Sequence, residues 1–171
     1  MPARKIVMYP WIYYHVFNRS LTRQTIFESD KDYNKFYTSM LRFQHDFVEN
    51  GLQIKAYCLM PNHFHLLLIY KTGLEDNPIM KFMHKLQISY AMYYKLARPV
   101  LIKWQPLFDG RYWVKPIKDD SYMWAIVNYI QKNSEKHLKI PYQDWKYRSD
   151  VKINWNYDDM MNDLDDYILE Y

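Results

Sequence analysis

The sequence predicts an α+β fold, an antiparallel sheet with helices packed mainly on one face. Three observations carry that reading. Short runs with period-two alternation are interleaved with longer runs of helical period. Residues 52–59 and 63–70 are two apolar, strand-like runs separated only by the turn Met60-Pro61-Asn62, as in a hairpin. The chain also lacks internal repeats and low-complexity linkers, and its 171 residues suit one domain with a sizeable core.

Each element has a local cause. Residues 11–17 alternate, with Ile12, Tyr14 and Val16 on one face and Tyr13, His15 and Phe17 on the other. Ser29-Asp30-Lys31-Asp32 resembles a capping box. It opens a helix whose stripe is Tyr33, Phe36, Tyr37, Met40, Phe43 and Phe47, closed by Gly51. Asn77-Pro78 starts a second helix, a cap followed by proline at the first helical position. Its stripe is Ile79, Phe82, Met83, Leu86, Tyr90, Tyr93 and Ala97, and Pro99 stops it. After a loop, residues 111–117 read as a fourth strand. Asp119 and Asp120 cap a third helix, expected to run to about His137, with Met123, Ile126, Val127 and Ile130 as its core stripe. Helices on one face leave the other face of the sheet for a ligand.

Composition narrows the function. No stretch approaches the roughly 20 apolar residues of a membrane span, and the N-terminal residues carry no apolar signal segment. One cysteine, Cys58, excludes an internal disulfide framework and fits a reducing compartment, so the expected location is cytoplasmic. The formal net charge of +4 is unevenly spread. Residues 150–171 hold seven acids and one base, a balance of −6, and form an acidic C-terminal tail. Residues 1–149 form the main domain with 22 bases against 12 acids, a balance of +10. Cations together with 19% aromatic residues suit a nucleic acid partner, because cations meet phosphates and rings stack on unpaired bases.

The most informative segment is His63-Phe64-His65, which opens the run Leu66-Leu67-Leu68-Ile69. In a strand His63 and His65 share one face while Phe64 points into a core. Two neutral imidazoles side by side can grip a divalent metal. On the third helix Tyr129 and Asn133 are four residues apart, hence on one side of it, and the amide can serve a metal as an oxygen ligand. His45, His84 and His137 have no partner at metal-binding spacing, and His15 reads as a strand histidine that could approach the site through the sheet.

Several segments, in order, resemble one family. Tyr14-His15-Val16-Phe17-Asn18-Arg19 resembles its first strand, and Ile26-Phe27-Glu28 its entry to the first helix. Residues 56–67, Ala-Tyr-Cys-Leu-Met-Pro-Asn-His-Phe-His-Leu-Leu, are very similar to its two-histidine segment. Leu107-Phe108-Asp109-Gly110-Arg111-Tyr112 resembles its Phe-Gln-Gly-Arg-Tyr turn, and Asn128-Tyr129-Ile130-Gln131-Lys132-Asn133 its Tyr-Ile-x-x-Asn-Pro helix. Trp145-Lys146-Tyr147-Arg148-Ser149 resembles a Trp-Ser-Ser-Tyr-like stretch near the family's end. On these motifs the chain resembles the single-strand tyrosine transposases of the HUH nuclease superfamily, in their REP-associated branch. Two departures stand out: Ser134 replaces the proline after the asparagine, and the Val-x-Ala-Gly pattern that follows is absent.

The resemblance implies a ferredoxin-like or RRM-like HUH core, with His63, His65 and Asn133 holding Mg²⁺ or Mn²⁺ and Tyr129 as nucleophile. Tyr129 would attack a DNA phosphodiester, release a 3′-hydroxyl and form a phosphotyrosyl link that can be passed to another 3′ end. A neutral phenol is a weak nucleophile, so nearby positive charge or a base must help. Single-stranded or hairpin DNA is the expected partner, bound by a monomer or homodimer, with Arg19, Arg23, Lys103, Trp104, Arg111, Tyr112 and Lys115 as contacts. The alternative is a domesticated, non-catalytic single-strand binder of the same fold. A two-histidine phosphoesterase would need a second His-x-Ser/Thr motif, which the sequence lacks, and a zinc centre is poorly served by one thiol.

The charge balance generates a first prediction. Log affinity for single-stranded DNA should fall linearly with log salt, by about 0.7 per phosphate neutralised. Hairpins with an unpaired flank should bind more tightly than blunt duplex, and removal of residues 150–171 should tighten binding. Fluorescence anisotropy over a salt series checks all three; a flat salt response would contradict the electrostatic reading.

Overall fold

A computed structural model describes residues 7–72, 77–98 and 105–149. Strands β1 (Tyr14–Arg19), β2 (Gln53–Met60), β3 (His63–Ile69) and β4 (Trp113–Pro116) form one antiparallel sheet in the order β2-β3-β1-β4. Helices α1 (Asp30–His45), α2 (Pro78–Ala97), α3 (Asp120–Gln131) and α4 (Asn133–Leu138) complete the α+β fold, with short 3₁₀ turns at Val48–Asn50 and Tyr142–Asp144.

Strand alternation divides the residues between two cores. Tyr14, Val16, Leu59, Phe64, Leu66 and Leu68 face α1 and α2, which bring Phe36, Met40, Phe82, Met83, Leu86 and Tyr90. The opposite residues of β2 and β3, Ala56, Cys58, Met60 and Leu67, meet Met123, Ile126, Val127 and Ile130 of α3. The two long helices therefore share one face, and α3 covers part of the face expected to be open. The cause lies in β2, whose Ala56-x-Cys58-x-Met60 row is apolar and needs cover. Cys58 is fully buried, and burial pushes its thiol up to about 12. What remains open on that face is a strip along β1 and β4.

Several boundaries shift for physical reasons. Trp11 has φ +64°, so the chain still turns there and joins the ladder only at Tyr14. β4 spans four residues and ends on Pro116, which has no N–H to donate. The first helix stops at His45; Gly51, with φ +64°, caps the 3₁₀ turn after it, where a Cβ would stand 2.7 Å from Lys71 Cγ. Asn77 caps α2 as expected, its Oδ1 accepting from Met80 N–H at 3.0 Å; Pro99 lies outside the described residues. The third helix is interrupted: α3 ends at Gln131 and α4 begins at Asn133, with Lys132 between them at φ −85°, ψ 11°. Among the described residues no helix is long and apolar enough to cross a membrane.

The segment after α4 seals the sheet edge. Leu59 N–H donates to Tyr147 C=O and Ser149 N–H to Tyr57 C=O, both at 2.9 Å, so residues 147–149 lie along β2. Trp145 Nε1 donates to Leu59 C=O at 3.0 Å, and the Tyr147 ring stacks on Tyr33 at 3.6 Å. The edge is thereby covered at Tyr57 and Leu59, where those backbone groups are no longer offered to another chain. The acidic tail, residues 150–171, lies outside the described residues.

Asp32 ties the helical layer together. Its buried carboxylate accepts from Glu28 N–H and Ser29 N–H at 3.0 Å, from Tyr93 Oη at 2.9 Å and from Arg98 Nη2 at 2.7 Å. The start of α1 is thereby fastened to the end of α2. Burial opposes the charge, yet Arg98 and the hydrogen bonds together hold the carboxyl below its usual range. A depressed carboxyl stabilises the fold above its unfolded pKa, and that share is lost as pH falls through the folded value. Asp32→Asn should cost about 3 kcal/mol, because it leaves Arg98 with its remaining partner Glu28 but no buried counter-charge. Urea unfolding measures the loss, and the difference from wild type should shrink in acid.

Candidate active site

Phe64 is fully buried in the core between the sheet and α1–α2, and this fixes His63 and His65 on the opposite face. Antiparallel pairing then sets Arg19 opposite His63, Phe17 opposite His65 and His15 opposite Leu67. On the other side of β1, Trp113 pairs with Phe17 and Lys115 with His15. All these side chains share one face by alternation.

The two imidazoles are held in matching ways. Asn62 Nδ2 donates to Arg23 C=O at 3.0 Å, which turns Asn62 Oδ1 toward His63 Nδ1 at 2.6 Å. His63 Nδ1 is therefore the protonated nitrogen, and Nε2 carries a lone pair. His65 Nδ1 lies 3.0 Å from His15 Nε2. Burial lowers the pKa of His63, with Asn133 partly opposing, and lowers that of His65 further, helped by His15 and His63. Both imidazoles are neutral at neutral pH, the form that binds metals.

Across from them, α4 begins with Asn133, fully buried, whose Oδ1 lies 2.9 Å from His63 Nε2. With Asn62 fixing the tautomer, two acceptors face each other there, while Asn133 Nδ2 is buried without a hydrogen-bond partner. A cation between the acceptors turns this contact into an attraction. Cis ligands of an octahedral ion, each about 2.1 Å away, stand about 3.0 Å apart, so the spacing fits. Among the described residues no three of His, Cys, Asp and Glu converge on a metal site, so any cation held here would need the Asn133 amide oxygen beside the two imidazoles. Such a set would leave positions on a divalent ion open to phosphate oxygens and water, and its imidazole donors favour Mn²⁺ over Mg²⁺.

Tyr129 stands at the end of α3, 37% exposed, its ring edge-on to His65 at 5.2 Å and to His15 at 6.0 Å between centroids. Lys136 Nζ lies 5.3 Å from the centre of the Tyr129 ring, and His137 packs edge-on to His63 at 5.4 Å. His63, His65, Tyr129 and Asn133 are thus brought together, but by β3 and two short helices rather than by one continuous helix. Lys136 was not singled out from the sequence, and His137, expected there to have no partner at metal-binding spacing, packs against His63. Each had a signal. Lys136 is seven residues beyond Tyr129 and His137 four beyond Asn133, so each shares a helical side with its neighbour. Nothing local marks His15; its partner appears only once the β1–β3 register is known.

The candidate DNA contacts divide. Lys115 is on the histidine face, its Nζ 6.0 Å from the Phe17 ring centre. Arg19 shares that face, with Nη2 2.8 Å from Asp109 in an exposed ion pair. The turn carrying Asp109 is itself bonded to β1, Asp109 N–H donating to Arg19 C=O at 2.9 Å. Arg23 is exposed beside Asn62 with φ +59°. Arg111 lies elsewhere, lining a groove of about 700 Å³ between α2 and residues 106–112, with Nη2 3.2 Å from Met80 Sδ. Tyr112 is a correction: at 7% exposure it belongs to the main core and offers no ring for stacking. Alternation puts the exposed ring one residue later, at Trp113, 55% exposed beside Lys115. Lys103 and Trp104 lie outside the described residues.

A sheet with a two-histidine strand faced by a tyrosine-bearing helix defines the class, and comparison with known proteins defines the family. The chain belongs to the family described as "Transposase IS200 like", whose model matches residues 9–133, from just before β1 to Asn133. A REP-associated tyrosine transposase bound to a REP hairpin superposes with TM-score 0.65 at 15% identity, over 86% of this chain and 81% of that one, so the two share a fold. Looser similarity links the chain to a putative transposase from Deinococcus radiodurans R1, with TM-score 0.48 and 22% identity over 78% of this chain and 96% of that one. A tRNA(His) guanylyltransferase from Saccharomyces cerevisiae gives TM-score 0.46 and 13% identity over 77% and 62%. No curated protein matches the sequence.

The geometry predicts that the double substitution His63→Ala, His65→Ala removes Mn²⁺ binding in titration calorimetry while thermal unfolding stays cooperative. Unchanged Mn²⁺ affinity in the double variant would discard the site.

Proposed function

We propose that this transposase cleaves and rejoins single-stranded DNA through Tyr129, with His63, His65 and Asn133 as ligands of one Mg²⁺ or Mn²⁺ ion. The observation that supports it best is the convergence of Tyr129 on His65 beside the facing pair His63 Nε2 and Asn133 Oδ1. A divalent cation held there supplies positive charge against the scissile phosphate and the charge that grows on it in the transition state.

The chain's own residues do the rest. Tyr129 Oη forms a bond to phosphorus as the bond from phosphorus to the 3′ oxygen breaks. The phenol gives up its proton, and the departing oxygen takes one up to become a free 3′-hydroxyl. A phosphotyrosyl ester to the 5′ side remains, preserving the ester for attack by another 3′-hydroxyl, which is what strand joining requires and hydrolysis would waste. Lys136, its Nζ 5.3 Å from the centre of the Tyr129 ring, supplies positive charge near a phenol that must give up its proton. Trp113 and Lys115 on the open strip, with Arg19 and Arg23 near its other end, offer a ring and cations to a single strand. A hairpin with an unpaired flank is the proposed substrate; the similar structure is bound to a REP hairpin.

Tyr129→Phe tests the proposal. It removes one oxygen and keeps the ring, so stability should change by less than about 1–2 kcal/mol. Cleavage and joining should vanish while DNA affinity stays near wild type. Denaturing gels with labelled single-stranded DNA should show a covalent protein–DNA band for wild type and none for the variant. A surviving band would pass the nucleophile to another tyrosine, Tyr122 first; no band from either protein would favour the non-catalytic binder.

A further inference from the structure

We propose that His15 is a positioning residue for His65: its Nε2 accepts a hydrogen bond from His65 Nδ1–H and so keeps the His65 Nε2 lone pair available to a cation. The inference rests on the metal reading above.

A neutral imidazole carries one N–H, and it can ligate through one nitrogen only if the proton sits on the other. Metal-binding histidines usually settle this by donating to a carboxylate or a backbone carbonyl. His65 has neither. The ionisable groups that bear on it are His15, His63, His137 and Lys136, all basic, and the one bearing most on His15 is Lys115. The partner within hydrogen-bond distance is the His15 ring, at 3.0 Å. His15 is 4% exposed and His65 5% exposed, so both rings are withdrawn from bulk solvent.

The His15 ring is also fixed in orientation. Phe17 packs against it at 4.9 Å, Tyr129 meets it edge-on at 6.0 Å, and it lies nearly parallel to His65, 24° between planes. Two ring nitrogens 3.0 Å apart share a single hydrogen, so one must donate and the other accept. Both ligands thus follow one plan, Nδ1 engaged and Nε2 kept for the ion. The acceptor is an amide for His63, Asn62 Oδ1, and an imidazole for His65.

The test compares wild type with His15→Phe, which keeps a ring but no acceptor, and His15→Gln, which restores an acceptor. In metal-free protein near neutral pH, long-range ¹H–¹⁵N spectra should show His65 protonated at Nδ1 in wild type and predominantly at Nε2 in His15→Phe. Mn²⁺ titration should show affinity weakened roughly 10–100-fold in His15→Phe and largely recovered in His15→Gln. Circular dichroism melts on the same samples identify a variant that has lost its fold, and the Gln variant then carries the comparison. A His65 tautomer unaffected by His15→Phe, or wild-type Mn²⁺ affinity in that variant, overturns the proposal. If wild type itself binds no Mn²⁺, the metal reading fails, whereas the tautomer measurement reports on the His15–His65 bond independently.

Discussion

The site depends on the phase of β3. Phe64, Leu66 and Leu68 enter the core between the sheet and α1–α2, which commits His63 and His65 to the other face. A slip of one residue would bury both imidazoles among aromatics and expose Phe64. The apolar load on one side of the strand therefore holds the polar pair on the other. Phe64 also touches Phe36 and Phe108, one from α1 and one from the turn bonded to the end of β1, so the phase is locked from two directions.

The second face is shared between packing and chemistry. Over β2 it is apolar and carries α3 as a lid, and α3 delivers Tyr129 at its C-terminal end. Over β3 and β1 it is polar, with His65, His15 and Asn133 all buried. Buried polar groups are costly unless satisfied, and Asn133 Nδ2 and Ser134 Oγ have no hydrogen-bond partner. Asn133 is buried with its amide oxygen against His63, where packing alone would favour an apolar residue. The interruption at Lys132 belongs to the same economy: it lets α4 aim Asn133 at His63 independently of the angle at which α3 presents Tyr129.

Much of this was legible in the sequence because it is local. Alternation in residues 63–69 gave the phase of β3, whereas the four-residue spacing of Tyr129 and Asn133 assumed one continuous helix, which Lys132 interrupts. The stripe Met123, Ile126, Val127 and Ile130 named the packing face of α3 correctly. What escaped was set by pairing between distant segments. His15 meets His65 only through the β1–β3 register, fifty residues away. Tyr112 and Trp113 exchanged roles because the short strand β4 carries too few residues for its alternation to be phased from sequence. The cover of α3 over the sheet was likewise hidden in the apolar row of β2, whose facing partner lies more than sixty residues further along.

The central claim is that His63 Nε2, His65 Nε2 and Asn133 Oδ1 form one cation site beside Tyr129. Pulsed EPR on the Mn²⁺-loaded protein tests it most directly, since a coordinated imidazole nitrogen modulates the electron spin echo of the ion. The account predicts coupling from two directly bound imidazole nitrogens in wild type, reduced to one in His65→Ala. An echo showing only water protons and no coordinated nitrogen would contradict it.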